Sequence, residues 1–312
     1  MDKHARIGVV GATGAVGTVT LSLLRERGYD NVRAFASARS AGTRVGDATV
    51  EEATPEVLAR GELDICFFSV GASASRELVP HAVRGGAVAV DKSTAYRLAD
   101  DVPLVVPEVN GERAREHEGI LANPNCCAIP LTVALSPIAA TAGLARVRVS
   151  TYQSVSGAGA RRMDALRAQS PGEGDLAMDW TFDGVEFDEE AKLRAETRKI
   201  LELPELPFSA TTVRVPVLVG HAQAVWVETL RPLSADDARE VLGAAPGIAL
   251  DEFPTPGRAA GGDTVLVGRI RADTAAENGL VLFVVCDNLR KGAALNAIQI
   301  AELLLERRAV AA

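Results

Sequence analysis

The sequence predicts an α/β protein built on a doubly wound parallel sheet and followed by a second, sheet-rich domain. Through the first 125 residues, short apolar runs alternate with helix-like segments, and a glycine-rich turn (GATGAVG, 11–17) joins the first run to the first helix. Beyond Asn125, β-branched runs follow one another with fewer intervening helices. A length of 312 residues allows about two domains of ordinary size.

The elements of the first domain follow from periodicity. Residues 6–11 (RIGVVG) form an apolar run that ends in glycine, and residues 15–27 carry apolar side chains at helical spacing. This pattern predicts a strand, a turn and a helix. Further strands are predicted at 31–37, 64–70, 87–90 and 103–106, with a helix at 73–84.

The second half shows longer alternating runs. Strands are predicted at 146–153, 211–219, 223–230, 264–270 and 279–286, with a loop at 171–175 and an amphipathic helix at 289–308. The uncharged stretch Gly119–Ala145 is long enough to span a membrane, but three prolines interrupt it. We therefore expect a turn and a buried helix, and no membrane association.

The composition describes an acidic globular protein. Lys and Arg number 33 against 41 Asp and Glu, which gives a net charge of −8, and aromatic residues make up 4%. A nucleic-acid partner is not expected, because such binders carry basic and aromatic surfaces. Four cysteines are too few for a disulfide framework. With a strand beginning almost at once, we expect no signal peptide and a cytoplasmic protein.

The glycine-rich turn predicts a dinucleotide site. Gly11, Gly14 and Gly17 have the spacing G-x-x-G-x-x-G, which lets the backbone approach a pyrophosphate at a helix N-terminus. A helix start that merely needs small residues is the alternative. The second strand ends in Ser37-Ala38-Arg39-Ser40, where an NAD enzyme usually carries an acidic residue. A cation and hydroxyl groups suit a 2′-phosphate, so the sequence favours NADP over NAD.

Cys126 is the candidate nucleophile. It lies in a turn, Asn123-Pro124-Asn125-Cys126-Cys127, that leads into the buried helix, which predicts a thiol in the first helical turn. There the helix dipole and the free N–H groups favour the thiolate, the reactive form. Cys127 points roughly a quarter-turn away and is expected to pack in the core.

His221 is the candidate base. It follows RVPVLVG at the predicted end of a strand, from which an imidazole can reach a thiol. Arg214, earlier on the same predicted strand, is costly to bury without an anion, and a substrate carboxylate would supply one. Glu189 and Lys192 share one helix face, and from the residues alone an exposed ion pair is expected.

Six ordered motifs together resemble the aspartate-semialdehyde dehydrogenase family. They are GATGAVG, SARSAG (37–42), PNC (124–126), YQSVSGAG (152–159), RVPVLVGH (214–221) and DNLRKGAALNAIQIAELL (287–304). The resemblance implies a Rossmann-type NADP-binding domain over 1–125, completed by the C-terminal helix 289–312. It also implies an α+β substrate-binding and dimerisation domain with a mixed sheet over 126–288. The implied reaction is NADPH-dependent reduction of L-aspartyl 4-phosphate to L-aspartate 4-semialdehyde with release of phosphate, a step in amino-acid biosynthesis.

The resemblance also implies residue roles. Cys126 is expected to form a thioester, His221 to act as acid and base, and Gln153 to orient the acyl group. Asn288 is expected to meet the nicotinamide amide. The implied cofactor contacts are Gly11, Thr13, Gly14, Ala15, Val16, Gly17, Ser37, Arg39, Ser40, Ser69, Gly71, Ser156, Gly157 and Asn288.

The implied substrate contacts are charged. Arg97 and Lys192 are expected to hold the phosphate, Arg214 the α-carboxylate and Glu189 the α-amino group, because an ammonium and a carboxylate need opposite partners. The implied partners are the small-molecule substrate and phosphate, with a homodimer or a dimer of dimers as the assembly. No metal is expected.

Departures from the family pattern leave alternatives open. Cys127 stands where Ser or Thr is usual, Lys92 adds a cation near Arg97, Gln223 replaces an acidic residue, and the span after the Gln153 loop is short. A related reductase acting on another acyl phosphate or a modified aspartate is one alternative. A non-catalytic NADP-binding paralogue is another. A Cys-His hydrolase leaves the nucleotide loop unexplained.

Overall fold

The computed structural model describes residues 3–168 and 180–311, with side chains through Leu305. Its strands are β1 (Ile7–Val10), β2 (Val32–Ala36), β3 (Arg44–Val45), β4 (Ala48–Glu52), β5 (Ile65–Phe68), β6 (Val88–Asp91), β7 (Ile120–Ala122), β8 (Leu144–Gln153), β9 (Phe208–Arg214), β10 (His221–Thr229), β11 (Ile248–Leu250), β12 (Val265–Ala272) and β13 (Gly279–Cys286). Its α-helices are α1 (Ala15–Glu26), α2 (Pro55–Leu58), α3 (Ala72–Arg84), α4 (Pro107–Asn110), α5 (Ala128–Ala142), α6 (Ala160–Ala168), α7 (Asp188–Leu201), α8 (Ala235–Ala244), α9 (Pro256–Ala259) and α10 (Leu295–Ala311). The predicted loop at 171–175 lies outside the described residues.

The first compact unit, Met1–Pro124 with Ala293–Ala312, is a doubly wound α/β layer structure. Its sheet has the order β3-β4-β2-β1-β5-β6-β7, and every neighbouring pair is parallel except β3 and β4. The chain winds outward from β1 in both directions, which leaves a crevice at the carboxyl ends of the central strands. The predicted α/β class is confirmed.

The predicted strand at 103–106 is wrong. Only Leu104 forms a bridge there, to Ala122, and β7 completes this edge of the sheet. The reason is local, because the Asn110 side chain takes the strand's backbone groups: its amide donates to the carbonyl oxygen of Leu104 (2.9 Å) and its oxygen accepts from the N–H of Val106 (2.9 Å). Pro107 then begins α4, which ends the extended run.

The C-terminal helix belongs to the first unit. Leu295, Ile298, Ile300 and Leu305 lie in one buried cluster with Ile7 and other side chains of the first unit. The predicted helix from residue 289 begins too early, because α10 starts at Leu295 and a π-helical turn, Arg290–Ala294, precedes it. Asp287 explains the irregular start, since its carboxylate accepts the N–H groups of Leu289 and Arg290.

The second unit, Asn125–Gly292, contains a mixed sheet in the order β11-β12-β13-β10-β8-β9. The outer pairs β11-β12 and β8-β9 are parallel, and the pairs between them are antiparallel. The predicted strand at 211–219 is too long, because β9 ends at Arg214. Pro216 follows, and it lacks the N–H that a continuing ladder needs.

Helix α5 is the buried helix of the second unit. Its side chains from Ala128 through Leu135 are buried, so it is apolar all round, as a helix enclosed by protein should be. Pro130 lies in its first turn, where a missing N–H costs little. Among the described residues, no helix has both the length and the hydropathy needed to cross a bilayer.

Candidate active site

Cys126 lies immediately before α5 in the second unit. Cys127 is the N-cap residue, and its N–H donates to the side-chain oxygen of Asn125 (2.7 Å). Cys126 therefore precedes the helix by two residues, and the prediction of a thiol in the first helical turn is wrong by that amount. The N–H of Asn125 donates to the Glu196 carboxylate (2.6 Å), which anchors the turn against α7.

His221 is the first residue of β10, not a residue after a strand end as predicted. Its side chain is buried, and Nδ1 accepts the backbone N–H of Ser154 (3.0 Å). Because a backbone N–H always donates, Nδ1 carries the lone pair and the neutral ring holds its proton on Nε2. Buried Nε2 has no hydrogen-bond partner within residues 3–168 and 180–311, so it is free to serve a reacting group.

The thiol of Cys126 is prepared as a thiolate. Its pKa is lowered well below the ordinary value, first by a hydrogen bond from the Cys127 thiol and then by His221 and Arg214. Burial and the charge on Cys126 raise the pKa of Cys127. The sulfur atoms of both cysteines and a ring nitrogen of His221 lie within 4.8 Å of one another. Of the two thiols, Cys126 thus favours the thiolate form, and it is half-buried and accessible.

Gln153 and Glu189 form a buried polar pair next to this turn. The Gln153 amide, at the end of β8, donates to the Glu189 carboxylate (3.2 Å), and the Asn125 amide donates to the same oxygen (2.9 Å). Burial raises the pKa of Glu189, and the charge of Cys126 adds to this. The predicted exposed ion pair is wrong: Glu189 is buried, and Lys192 lies 2.6 Å from Asp188 but 4.0 Å from Glu189.

Arg214 ends β9 and is buried. Nη1 donates to the carbonyl oxygen of Ser154 (3.0 Å), and the guanidinium carbon lies 4.7 Å from the ring centroid of Trp180. The prediction that Arg214 and His221 share a strand is wrong, because they lie on β9 and β10. Both residues reach the same loop through Ser154, so Ser154 couples the cation to the imidazole.

Asn288 is a hub of hydrogen bonds, which the sequence did not indicate. Its side-chain oxygen accepts from the N–H of Gly220 (2.9 Å) and from the hydroxyls of Ser154 (3.0 Å) and Ser156 (3.1 Å). A second hydroxyl contact joins Ser154 to Nδ1 of His221 (3.0 Å). Sequence reasoning missed Ser154, because a serine in a small-residue loop carries no periodic signal.

Gln223 and Gly157 complete the surroundings of the thiol. The Gln223 amide donates to the carbonyl oxygen of Cys127 (2.8 Å), so this departure from the family pattern supports the turn that carries both cysteines. An added Cβ on Gly157 would lie 3.2 Å from Nε2 of His221 and 3.0 Å from a guanidinium nitrogen of Arg214. The glycine thus leaves room beside both groups.

The glycine-rich turn of the first unit has the geometry of a phosphate cradle. Gly11 has a φ of +84°, and an added Cβ on Gly17 would lie 2.1 Å from the carbonyl oxygen of Gly11. Gly14 is the N-cap of α1. A glycine is required at both ends of this loop, and the first N–H groups of α1 remain available to an anion.

The remaining predicted cofactor residues lie at the carboxyl ends of neighbouring strands. Ser37 and Arg39 follow β2, with Arg39 exposed in a 3₁₀ turn, and Ser69 follows β5. Gly71 is the N-cap of α3. Because β2, β1 and β5 are adjacent, these residues share one edge with the glycine-rich turn.

Arg97 belongs to the first unit and is buried. Its guanidinium donates to the backbone carbonyl oxygen of Lys92 (2.5 Å). Asp91, at the end of β6, accepts the hydroxyls of Ser75 (2.7 Å) and Ser93 (2.6 Å). Burial raises the pKa of Asp91. The turn that carries Lys92 and Arg97 is thus fixed by buried polar contacts.

Comparisons with known proteins agree with this arrangement. The NAD binding domain of semialdehyde dehydrogenases matches residues 6–117, and their dimerisation domain matches residues 135–182 and 179–291. Aspartate-semialdehyde dehydrogenase from Streptomyces akiyoshiensis is 45% identical, over 96% of this chain and 98% of its own. The enzyme from Bacillus subtilis is 40% identical, over 97% and 98%.

Solved structures extend the comparison to three dimensions. Aspartate semialdehyde dehydrogenase II from Vibrio cholerae, complexed with ASA, superposes with a TM-score of 0.91 at 40% identity, covering 97% of this chain and 98% of its own. The Candida albicans enzyme with NADP gives 0.77 at 28% identity, covering 96% and 98%.

The doubly wound sheet, its glycine-rich turn and the matched domains define a nicotinamide-dependent dehydrogenase of the semialdehyde type. The cofactor class is therefore a nicotinamide dinucleotide. With relatives above 40% identity over nearly the whole length, the chain belongs to the aspartate-semialdehyde dehydrogenase family.

Proposed function

We propose that the protein reduces L-aspartyl 4-phosphate to L-aspartate 4-semialdehyde with NADPH and releases phosphate. The observation that carries this proposal is the half-buried Cys126 thiolate beside the free Nε2 of His221, with Gln153, Glu189 and Arg214 around it in the same unit. An acyl phosphate needs a nucleophile, and a charged amino acid needs paired charges.

The residues divide the reaction into two balanced halves. The Cys126 thiolate attacks the acyl carbon, the C–S bond forms, and the C–O bond to phosphate breaks. After reduction, the Nε2–H of His221 donates a hydrogen bond to the hemithioacetal oxyanion, which stabilises it until the C–S bond breaks. This releases the aldehyde and regenerates the thiolate. Because the lowered pKa of the Cys126 thiol already favours the thiolate, the main role of His221 in this scheme is at the oxyanion.

Charged side chains are assigned to the charged groups of the substrate. Arg214, stacked on Trp180, is placed to pair with the α-carboxylate, and Glu189 with the α-amino group. Arg97 and Lys192 are assigned to the phosphate. Gln153, held by Glu189, is assigned to the acyl oxygen. Arg214 and Glu189 are buried charges of opposite sign, so a ligand that carries both a carboxylate and an ammonium matches the pair.

The first unit is proposed to carry NADP, which supplies the hydride when bound. The cradle of Gly11, Gly14 and Gly17 fits a pyrophosphate, and exposed Arg39 after β2 fits a 2′-phosphate. The cofactor contacts proposed here are Gly11, Thr13, Gly14, Ala15, Val16, Gly17, Ser37, Arg39, Ser40, Ser69, Gly71, Ser156, Gly157 and Asn288. Asn288 is assigned to the cofactor through its side-chain NH2 group, because its side-chain oxygen already accepts hydrogen bonds from the protein.

A phosphate-dependent assay tests the function in the reverse direction. Aspartate semialdehyde, NADP⁺ and phosphate are mixed with the enzyme, and NADPH is followed by absorbance. We expect NADPH to form only when phosphate is present, and Cys126→Ala to abolish it. Cys66→Ala is the matched control, because Cys66 is a fully buried thiol on β5. NADPH formation without phosphate, or in Cys126→Ala, contradicts the proposal.

We propose that the protein forms a homodimer through the six-stranded sheet of the second unit. Partly exposed aromatic side chains lie on this sheet: Tyr152 and Phe283 have ring centroids 6.2 Å apart, and Trp226 pairs with Arg148 across β10 and β8. Apolar rings mixed with charges are typical of an interface. Analytical ultracentrifugation tests this: Trp226→Glu is expected to yield monomer, and an unchanged dimer excludes this face.

A further inference from the structure

The second thiol of the candidate site, that of Cys127, forms no covalent bond in the proposed acyl transfer, yet it lies in a cluster of side chains that can bind a metal ion. Sγ of Cys126, Sγ of Cys127 and a ring nitrogen of His221 lie within 4.8 Å of one another. We propose that these three side chains form a chelating site for a soft divalent cation of the zinc class, whose binding reversibly silences the enzyme. The loss of activity rests on the proposed role of Cys126, whereas binding does not.

The spacing is close to that of a bound metal. Zinc binds thiolate sulfur at about 2.3 Å and imidazole nitrogen at about 2.0 Å, which in a tetrahedron sets the ligand atoms about 3.3–3.8 Å apart. The cluster therefore closes through side-chain movements of about 1 Å. Cys127 is fixed through its N–H to Asn125, while half-buried Cys126 leaves an entry path for the ion.

The ligand available on His221 is Nε2, because Nδ1 faces the N–H and the hydroxyl of Ser154. Nε2 is buried and has no hydrogen-bond partner among the described residues, a state that a metal–nitrogen bond relieves. Once the ring proton is on Nδ1, the Ser154 hydroxyl, 3.0 Å away, can accept it, and this is the outer contact that zinc-bound histidines make. A water or a substrate oxygen would take the fourth position.

Charge balance also favours a divalent ion. Two thiolates cancel its charge, so the buried complex is neutral and avoids the cost of an isolated ion. Arg214 acts on Cys126 and Glu189 acts on Cys127, and their opposite charges offset each other near the complex. The ion must displace the proton of Cys127, while the ring proton moves from Nε2 to Nδ1, so its affinity is expected to rise with pH.

Inhibition by zinc alone tests the chelation, with Cys127→Ser as the decisive variant. Serine retains a hydroxyl of similar size, and is usual at this position in the family, but it is a poor ligand for a soft ion. Each enzyme is assayed against its own uninhibited rate in anaerobic, zinc-buffered solution. We expect Cys127→Ser to weaken zinc inhibition by about 100-fold or more, since even an outer partner costs ~10–100-fold.

Cys286→Ala is the matched control. Cys286 is also a fully buried thiol and lies opposite His221 in the pairing of β10 with β13, but it is outside the cluster. Its zinc inhibition is expected to equal that of the wild type. Equal inhibition of the wild type and Cys127→Ser, or no inhibition of the wild type, overturns the proposal.

X-ray absorption at the zinc edge tests the site on the wild type without turnover. We expect two sulfur ligands at about 2.3 Å and a nitrogen ligand at about 2.0 Å. A first shell with one sulfur or none overturns the proposal, even if zinc inhibits. The same measurement stands if the protein acts on another substrate, so a failure of the proposed function and a failure of the metal site are distinguished.

Discussion

Substitutions at Gly17 and Gly14, two glycines of the same loop, are expected to affect stability and cofactor binding separately. In Gly17→Ala, the new Cβ would lie 2.1 Å from the carbonyl oxygen of Gly11 and 2.8 Å from Cα of Ala12. Both neighbours are backbone atoms, so the loop and α1 must move apart by about 1 Å to restore contact distance. Overpacking costs ~3 kcal/mol at the upper end of its range, and alanine returns about 1 kcal/mol of helix propensity.

The expected result for Gly17→Ala is therefore a loss of about 2 kcal/mol in the free energy of unfolding. Urea denaturation of the apo protein, followed by circular dichroism, should show the midpoint of the first transition lowered by about 1 M. The substitution acts without any ligand present. A wild-type midpoint for Gly17→Ala would refute the close approach of α1 to Gly11.

Gly14→Ala is the matched substitution. Its Cβ would lie 3.3 Å from the same oxygen, and its φ of −80° and ψ of 166° suit any residue. We expect a change in unfolding free energy within about 0.5 kcal/mol, but a methyl group at the N-cap obstructs a phosphate. The KM for NADPH should rise about tenfold or more, a loss of about 1.4 kcal/mol. Destabilisation equal to that of Gly17→Ala would contradict the argument.

Three further substitutions test other contacts. Arg39→Ala is expected to raise the KM for NADPH about tenfold or more while leaving that for NADH unchanged, because a charge-assisted bond is worth ~1.5–3 kcal/mol; equal effects would exclude a 2′-phosphate contact. The rate at which iodoacetamide alkylates wild-type Cys126 should decline at a lower pH than that of an ordinary thiol, since the pKa of Cys126 is lowered. His221→Ala should move this decline to higher pH, and an unmoved profile would contradict the effect of His221 on the thiol pKa. Glu302→Ala should cost about 2 kcal/mol of stability in urea, because Arg27 and Tyr29 lose a buried carboxylate (2.5–3.3 Å), and a wild-type midpoint would exclude this.

Regular elements and local motifs could be predicted from the sequence. Hydrophobic periodicity located β1 and α1, the uncharged stretch after Gly119 located α5, and the glycine spacing located the phosphate cradle, because these signals depend on neighbours along the chain. The prediction of a strand at 103–106 was wrong for a physical reason. Its β-branched residues favour a strand, but the Asn110 side chain, several residues later, takes its backbone hydrogen bonds.

The candidate site was predictable as a set of residues but not as an arrangement. The motifs contain Cys126 and His221, and the family resemblance implied a role for Glu189, but sequence spacing alone suggested that Glu189 forms an exposed ion pair. Its burial depends on contacts with Asn125 and Gln153, which are distant in the chain. Side-chain hydrogen bonds between residues that are distant in the chain produce no periodic pattern in the sequence. The hydrogen bonds of Ser154 and Asn288 could therefore not be predicted from it.

The placement of α10 has a consequence for the order of events during synthesis. The helix supplies Leu295, Ile298 and Ile300 to the core around β1, so β1 leaves the ribosome long before the helix that completes its core has been translated. The second unit, Asn125–Gly292, is continuous and completely synthesised before that piece emerges. Folding of the first unit therefore includes closure of a very long loop, and its apolar strands remain exposed to chaperones until the final turns of helix arrive.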